Sequence, residues 1–165
     1  MSEMIVGFGG GCHWCTEAVF QSLLGINQVR QGWIASSGEY QDFSEAVKVH
    51  FDPEIITLQT LIEIHLLTHS SQSDHSMRGK YRSAVYFAQH AEEEPVRKAF
   101  SEAKKALAVE TISKILPLAI FKENEERFLN YYQNKPDAPF CEIYISPKLK
   151  LLGERFSENI KSPNQ

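Results

Sequence analysis

Apolar residues change their spacing repeatedly along the chain, and each change marks an element. Met4-Ile5-Val6-Gly7-Phe8 is a short apolar run and predicts a buried strand. Gly9-Gly10-Gly11 permits a sharp turn, and from His13 onward Thr16, Val19, Phe20, Leu23 and Leu24 recur at helical spacing. Gly25 stands where a glycine ends a helix. Residues 29–34, Val-Arg-Gln-Gly-Trp-Ile, suggest a second strand, and Ser36-Ser37-Gly38-Glu39 a turn. Glu45, Val47, Val49 and Phe51 alternate with other residues, as on a half-buried strand that Asp52-Pro53 closes. Thr57 is placed to cap a helix carrying Leu58, Leu61, Ile62 and His65 on one face. Residues 70–80 are polar and loop-like, and 81–87 predict a fourth strand. Val96, Ala99, Phe100, Ala103 and Leu107 predict a third helix over about 91–107. Residues 115–121 suggest an edge strand interrupted by Pro117, and Ser146-Pro147 opens a last helix with Leu151, Leu152 and Phe156.

This order, β-α-β-β-α-β, predicts an α+β fold. It is the two-layer split β-α-β plait (a ferredoxin-like core), with two helices on one face of an antiparallel sheet and additional C-terminal helices. The 165 residues contain no repeat, low-complexity stretch or linker, so residues 1–165 are expected to form one domain with a frayed tail over about 160–165.

Composition narrows the function. Hydrophobic content of 42% and charged content of 23% are those of a globular protein. A net charge of −4 gives no reason to expect nucleic acid or an anionic membrane as partner. No apolar run approaches the ~18 residues of a membrane span, and Glu3 with no basic segment is unlike a secretory signal. Three cysteines, an odd number, argue against a disulfide scaffold and suit redox-active thiols in a reducing cytoplasm. A monomer is expected.

The chemistry concentrates at Gly11-Cys12-His13-Trp14-Cys15-Thr16-Glu17. Cys12 falls at a strand-to-helix turn, where free backbone N–H groups and the helix dipole favour a thiolate, and hence a nucleophile. Most buried cysteines are merely small hydrophobes, but three preceding glycines at such a turn favour the reactive reading. Strand parity puts Glu45 on the side of Val47, Val49 and Phe51, where lost solvation raises a carboxyl pKa and makes a proton donor. By base rates alone such a glutamate turns to solvent. Tyr81, at the head of the fourth strand, offers a hydroxyl to an oxygen gaining charge, although strand-start tyrosines more often only pack.

The Gly-Cys-aromatic-Trp-(Cys or Gly)-x-Glu pattern resembles the A-class peptide methionine sulfoxide reductases, with His13 in the usual Phe position. The resemblance continues in residues 45–53, like the family's Glu-bearing strand ending in Asp-Pro, and in Lys80-Tyr81-Arg82-Ser83, like its Gln-Tyr-Arg-Ser strand. Residues 124–135 followed by Cys141 are similar to its late helix and recycling cysteine. The resemblance implies reduction of methionine S-sulfoxide, free or in proteins, without metal or organic cofactor and with thioredoxin as reductant. It implies Cys12 as nucleophile, Glu45 and Tyr81 as donors to the sulfoxide oxygen, and His13 and Trp14 as walls for the methyl group. Two family features have only stand-ins here: Asp74 for an Asp in a shortened loop, and Tyr40 for a second tyrosine.

Either remaining cysteine could condense with a Cys12 sulfenic acid. Cys15 lies on the first helical turn. Cys141 follows Pro136-Asp137-Ala138-Pro139, a stretch poor in regular structure that would let it approach, and it matches the family's recycling cysteine. A Cys12–Cys141 disulfide is therefore expected first. Two other readings remain open. A thioredoxin-like dithiol oxidoreductase would use Cys12-x-x-Cys15 but has no role for Glu45 or Tyr81. A zinc module would need a second ligand pair, from Cys141 or from His65, His69 or His75, that lacks compact spacing.

Overall fold

The computed structural model describes residues 3–69 and 82–161. Tyr81 and Asp74 lie outside the described residues, as does the whole of the expected 70–80 loop.

The strands are β1 (Met4–Gly9), β2 (Ile26–Ala35), β3 (Ser44–Phe51), β4 (Ala84–Phe87), β5 (Lys114–Pro117) and β6 (Ile120–Glu123). They form one sheet in the order β5-β4-β1-β3-β2-β6. The central pairs are antiparallel, but β5 runs parallel to β4, so the sheet is mixed rather than antiparallel throughout. The helices are α1 (His13–Gln21), α2 (Leu58–Thr68), α3 (Glu93–Leu107), a single turn α4 (Tyr131–Asn134) and α5 (Ser146–Arg155).

Alternation along the strands decides the layers. Val6 and Phe8 of β1, Val47, Val49 and Phe51 of β3, and Val85 and Phe87 of β4 turn to one face and pack against Val19 and Phe20, Leu61 and Ile62, Val96 and Phe100, and Leu152 from the helices. Phe8 stacks on Phe20 with ring centroids 4.6 Å apart, seating α1 directly on β1. The opposite face carries a smaller core of Ile34, Ala46, Ala84 and Tyr86 beneath Leu116, Leu118 and Phe121. Thr57 caps α2 as expected, accepting the Thr60 N–H at 3.1 Å.

Four expectations change. Helix α1 stops at Gln21, one turn short of Gly25, because Ser22 and Leu23 tighten onto the Val19 and Phe20 carbonyls and Leu23 bridges to Ile160. That bridge, with Lys161 N–H donating to Ser22, also holds part of the expected frayed end. The single edge strand over 115–121 is two strands on opposite edges: after Pro117, Leu118 N–H donates to Phe87 and Ala119 N–H to Ala35, carrying the chain across the smaller core from β4 to β2. The helix over 124–135 is only α4, since Glu126–Phe128 is a 3-10 turn and Asn130 adopts positive φ.

Two glycines are demanded by geometry. Gly10 has φ +133°, which turns β1 toward α1. A Cβ on Gly32 would lie 2.2 Å from the Lys122 carbonyl oxygen, so β6 docks on β2 only where that side chain is missing.

Candidate active site

Cys12 is the residue before the first turn of α1, extended at φ −71°, ψ 156°, with no side-chain cap of its own. Its sulfur lies 3.1 Å from that of Cys15, one helical turn on. The Cys12 thiol is lowered to about 7, chiefly by the Cys15 hydrogen bond, against desolvation, and further by the backbone N–H groups of Cys15 and Trp14. With the thiolate on Cys12, Cys15 S–H is the donor. Cys15 is correspondingly pushed far up by that hydrogen bond and by burial, with Lys148 pulling it back by charge.

Beside Cys12 is a cavity of about 350 Å³ lined by Cys12, His13, Trp14, Trp33, Glu45, Asn124, Phe128 and Phe140. Its size and mostly apolar wall suit a small side chain with one polar end. Glu45 is 5% exposed and sits on the strand face that parity assigned it. Its Oε1 accepts the His13 backbone N–H at 3.0 Å and lies 2.9 Å from His13 Nδ1. Nε2 of the same ring is 2.6 Å from the Gly32 carbonyl oxygen. Trp33, opposite Glu45 in the β2–β3 register, braces the imidazole edge-on at 4.7 Å.

Trp14 forms the far wall. Its ring stacks on Tyr131 at 3.8 Å, Phe140 meets it edge-on at 5.2 Å, and its N–H donates to the Phe128 carbonyl at 3.1 Å. The same carbonyl accepts from Gln31, which is fully buried. Glu17, also buried, accepts the Asn130 and Tyr131 N–H groups at 3.0 and 3.3 Å and so anchors α4 behind Trp14; burial raises its carboxyl pKa.

Cys12, His13, Trp14 and Glu45 thus come together as expected. Tyr40 does not line the cavity: it lies in the Gly38–Tyr40 turn, with Arg82 and Lys114 over its ring at 5.8 and 5.5 Å. Arg82 is tied down by Tyr86 Oη at 2.9 Å and the Ile34 and Asp42 carbonyls. Cys141 also differs from expectation. It is fully buried rather than in an open loop, opens a π-helical turn (Cys141–Ile145), and donates to the Lys135 carbonyl at 3.1 Å, with its thiol pKa raised by burial. It packs in one apolar cluster with Cys15, Ala18 and Ile145, against which the partly buried Cys12 also packs.

Sequence reasoning missed Trp33, Asn124, Phe128, Phe140 and Glu17 as parts of the site. Trp33 left a signal, an aromatic near the end of a strand, and Glu17 left one as the Glu that closes the Gly-Cys motif; the others depend on how 124–140 folds back. Among the described residues no three His, Cys, Asp or Glu side chains are grouped to hold a metal ion.

The chain matches the family model for peptide methionine sulfoxide reductase over residues 4–160. The chain belongs to the peptide methionine sulfoxide reductase family. A family relative, the peptide methionine sulfoxide reductase MsrA of Deinococcus radiodurans, is 29% identical over 93% of this chain and 82% of its own. The reduced form of Mxr1 from Saccharomyces cerevisiae has a similar fold, with a TM-score of 0.70 at 22% identity, covering 84% of this chain and 89% of that one. Mxr1 in complex with Trx2 aligns at a TM-score of 0.56 and 21% identity, covering 76% and 83%.

Proposed function

We propose that this peptide methionine sulfoxide reductase reduces methionine S-sulfoxide, free or in proteins, through a Cys12 sulfenic acid. The observation that carries the reading is the Cys12 thiolate opening onto the cavity that Glu45 also lines. The thiolate bonds to the sulfoxide sulfur while Glu45 gives a proton to the oxygen. Collapse leaves methionine as a thioether and the oxygen on Cys12 as a sulfenic acid; the substrate sulfur gains two electrons and the Cys12 sulfur loses two. Trp14 and Phe128 supply an apolar wall for the methyl group. Tyr81 is assigned as a second donor on the Tyr81-Arg82-Ser83 resemblance. For Asp74 the support is likewise the motif alone, and Tyr40 is not among the residues that line the cavity.

The geometry favours Cys15, not Cys141, as the first resolving thiol. While Cys12 is a thiolate, Cys15 is held protonated by donating to it. Once Cys12 is an uncharged sulfenic acid, that restraint is gone and Lys148 still favours ionisation. Cys15 then attacks, water leaves, and a Cys12–Cys15 disulfide forms. Cys12, the half-exposed member, is the sulfur presented to a dithiol reductant. The Mxr1–Trx2 complex supports thioredoxin in that role. The odd cysteine count suits work in a reducing cytoplasm. The central order β4-β1-β3-β2, with α1 and α2 against it, supports the split β-α-β plait.

Supplying the two resolved methionine sulfoxide epimers with dithiothreitol tests the reading. Consumption of the S epimer and not the R epimer supports it; reduction of insulin disulfides with neither epimer consumed would make the protein a dithiol oxidoreductase.

A further inference from the structure

His13 replaces the aromatic residue that the resembling family places after its nucleophilic cysteine, and both ring nitrogens are engaged. The Gly32 carbonyl can only accept, so the 2.6 Å contact puts a hydrogen on Nε2. At Nδ1 the neighbour is Glu45 Oε1, 2.9 Å away. If the ring is neutral, Nδ1 carries a lone pair and the hydrogen must belong to the carboxyl. If the ring is charged, the hydrogen is on Nδ1 and the carboxylate accepts. Both states hold one proton between the same two atoms. The state without it sets two lone pairs face to face where the residues are 8% and 5% exposed. The geometry therefore ties one proton to both residues rather than to either alone.

We propose that His13 and Glu45 form one proton-donating pair, with His13 a positioning residue that keeps Glu45 supplied with the proton it delivers to the sulfoxide oxygen. The proposal rests on the sulfoxide reductase reading. The groups facing the pair are few among the described residues. From α1 they are the Cys12 sulfur and Glu17, which feels the His13 charge. From β2 come the Gly32 carbonyl and the Trp33 ring, and after β6 the Asn124 amide faces the same cavity. Cys12 supplies the negative charge that favours a proton on the pair before attack.

The proton balance closes over a turnover. The pair gives its proton to the substrate oxygen as Cys12 bonds to the sulfur, leaving a neutral ring and a Glu45 carboxylate. Condensation of Cys12 sulfenic acid with Cys15 releases water and consumes no further proton. The dithiol reductant returns both cysteines as thiols and is itself oxidised to a disulfide. Cys12 then ionises, and its proton refills the pair. A carboxyl facing phenylalanine would be left to bulk water for the same step.

The test is the pH profile of the single-turnover rate in wild type, His13→Phe and His13→Asn. The rate should rise with Cys12 ionisation and fall where the pair loses its proton. Both variants should move the falling limb down by about one pH unit or more. Asparagine, which can hydrogen-bond but not hold the proton, should not rescue it. A uniform loss at all pH values, or rescue by asparagine, would reduce His13 to a packing residue. A second readout needs no substrate: the His13 ring nitrogens and the Glu45 carboxyl carbon of reduced wild-type protein, followed by NMR, should shift together at one midpoint. Separate midpoints, with Glu45 in the usual carboxylate range, would overturn the pair. If wild type reduced neither sulfoxide epimer the functional reading would fail, while the NMR titration would still decide the pair.

Discussion

Cys15 Sγ lies 3.1 Å from Cys12 Sγ, and their acidities are driven in opposite directions by that one contact. Cys15 therefore has two tasks in sequence, stabilising the thiolate and then attacking its oxidised form.

Cys12→Ser is expected to abolish sulfoxide reduction. Cys15→Ala should keep a single turnover but move the Cys12 ionisation midpoint up from about 7, since the largest lowering cause is removed. Alkylation by iodoacetamide across pH reads this directly: wild type should react fully above about pH 8, and the variant only at higher pH. An unchanged midpoint would mean that the backbone N–H groups alone hold the thiolate.

One equivalent of methionine sulfoxide added to reduced protein should give a Cys12–Cys15 link with Cys141 still alkylatable after unfolding. Cys141→Ser should accordingly keep turnover with thioredoxin. Non-reducing peptide maps check both, and a Cys12–Cys141 link would restore the assignment expected from sequence.

Lys148 is the cation that lowers Cys15. Lys148→Gln should slow sulfenic acid loss by roughly two- to fivefold, the range for a partly exposed charge, and leave the first step unchanged. Stopped-flow measurement of the two phases separates them.

Glu45→Gln should preserve the fold and lower the single-turnover rate by roughly 10²–10⁴ at neutral pH. An unaltered rate would make Glu45 a structural anchor for the α1 N-terminus.

Gly32→Ala should destabilise the protein by about 1–3 kcal/mol, because its Cβ would meet the Lys122 carbonyl at 2.2 Å. Urea unfolding measures this, and an unchanged midpoint would show that β6 shifts freely.

The parts legible in the sequence are those that local pattern controls. The apolar run at β1, the alternation at β3, the Thr57 cap and the α3 stripe each express one element with one buried face, and each is found. Parity put Glu45 on the buried face, and the family resemblance outweighed the base rate that turns such a glutamate to solvent. The illegible parts depend on partners distant in the chain. Nothing local to Pro117 says that residues before and after it join opposite edges of the sheet. Cys141 looked mobile because Pro136-Asp137-Ala138-Pro139 precedes it, yet the packing of Cys15, Ala18 and Ile145 buries it. The His13–Glu45 contact requires β2, β3 and α1 to converge, which no spacing within one element reveals.

The crossing from β5 to β6 binds the fate of the sheet's two margins together. Lys114–Pro117 guards one and Ile120–Glu123 the other, with only Leu118 and Ala119 between. Neither margin can peel away without pulling on its opposite, so amide hydrogens on both should exchange with solvent at a common opening free energy. Because Asn124 and Phe128 follow directly, that opening event also unroofs the cavity beside Cys12. The same excursion that exposes the sheet's flanks would then widen access to the Cys12 sulfur, from a segment about a hundred residues away in sequence.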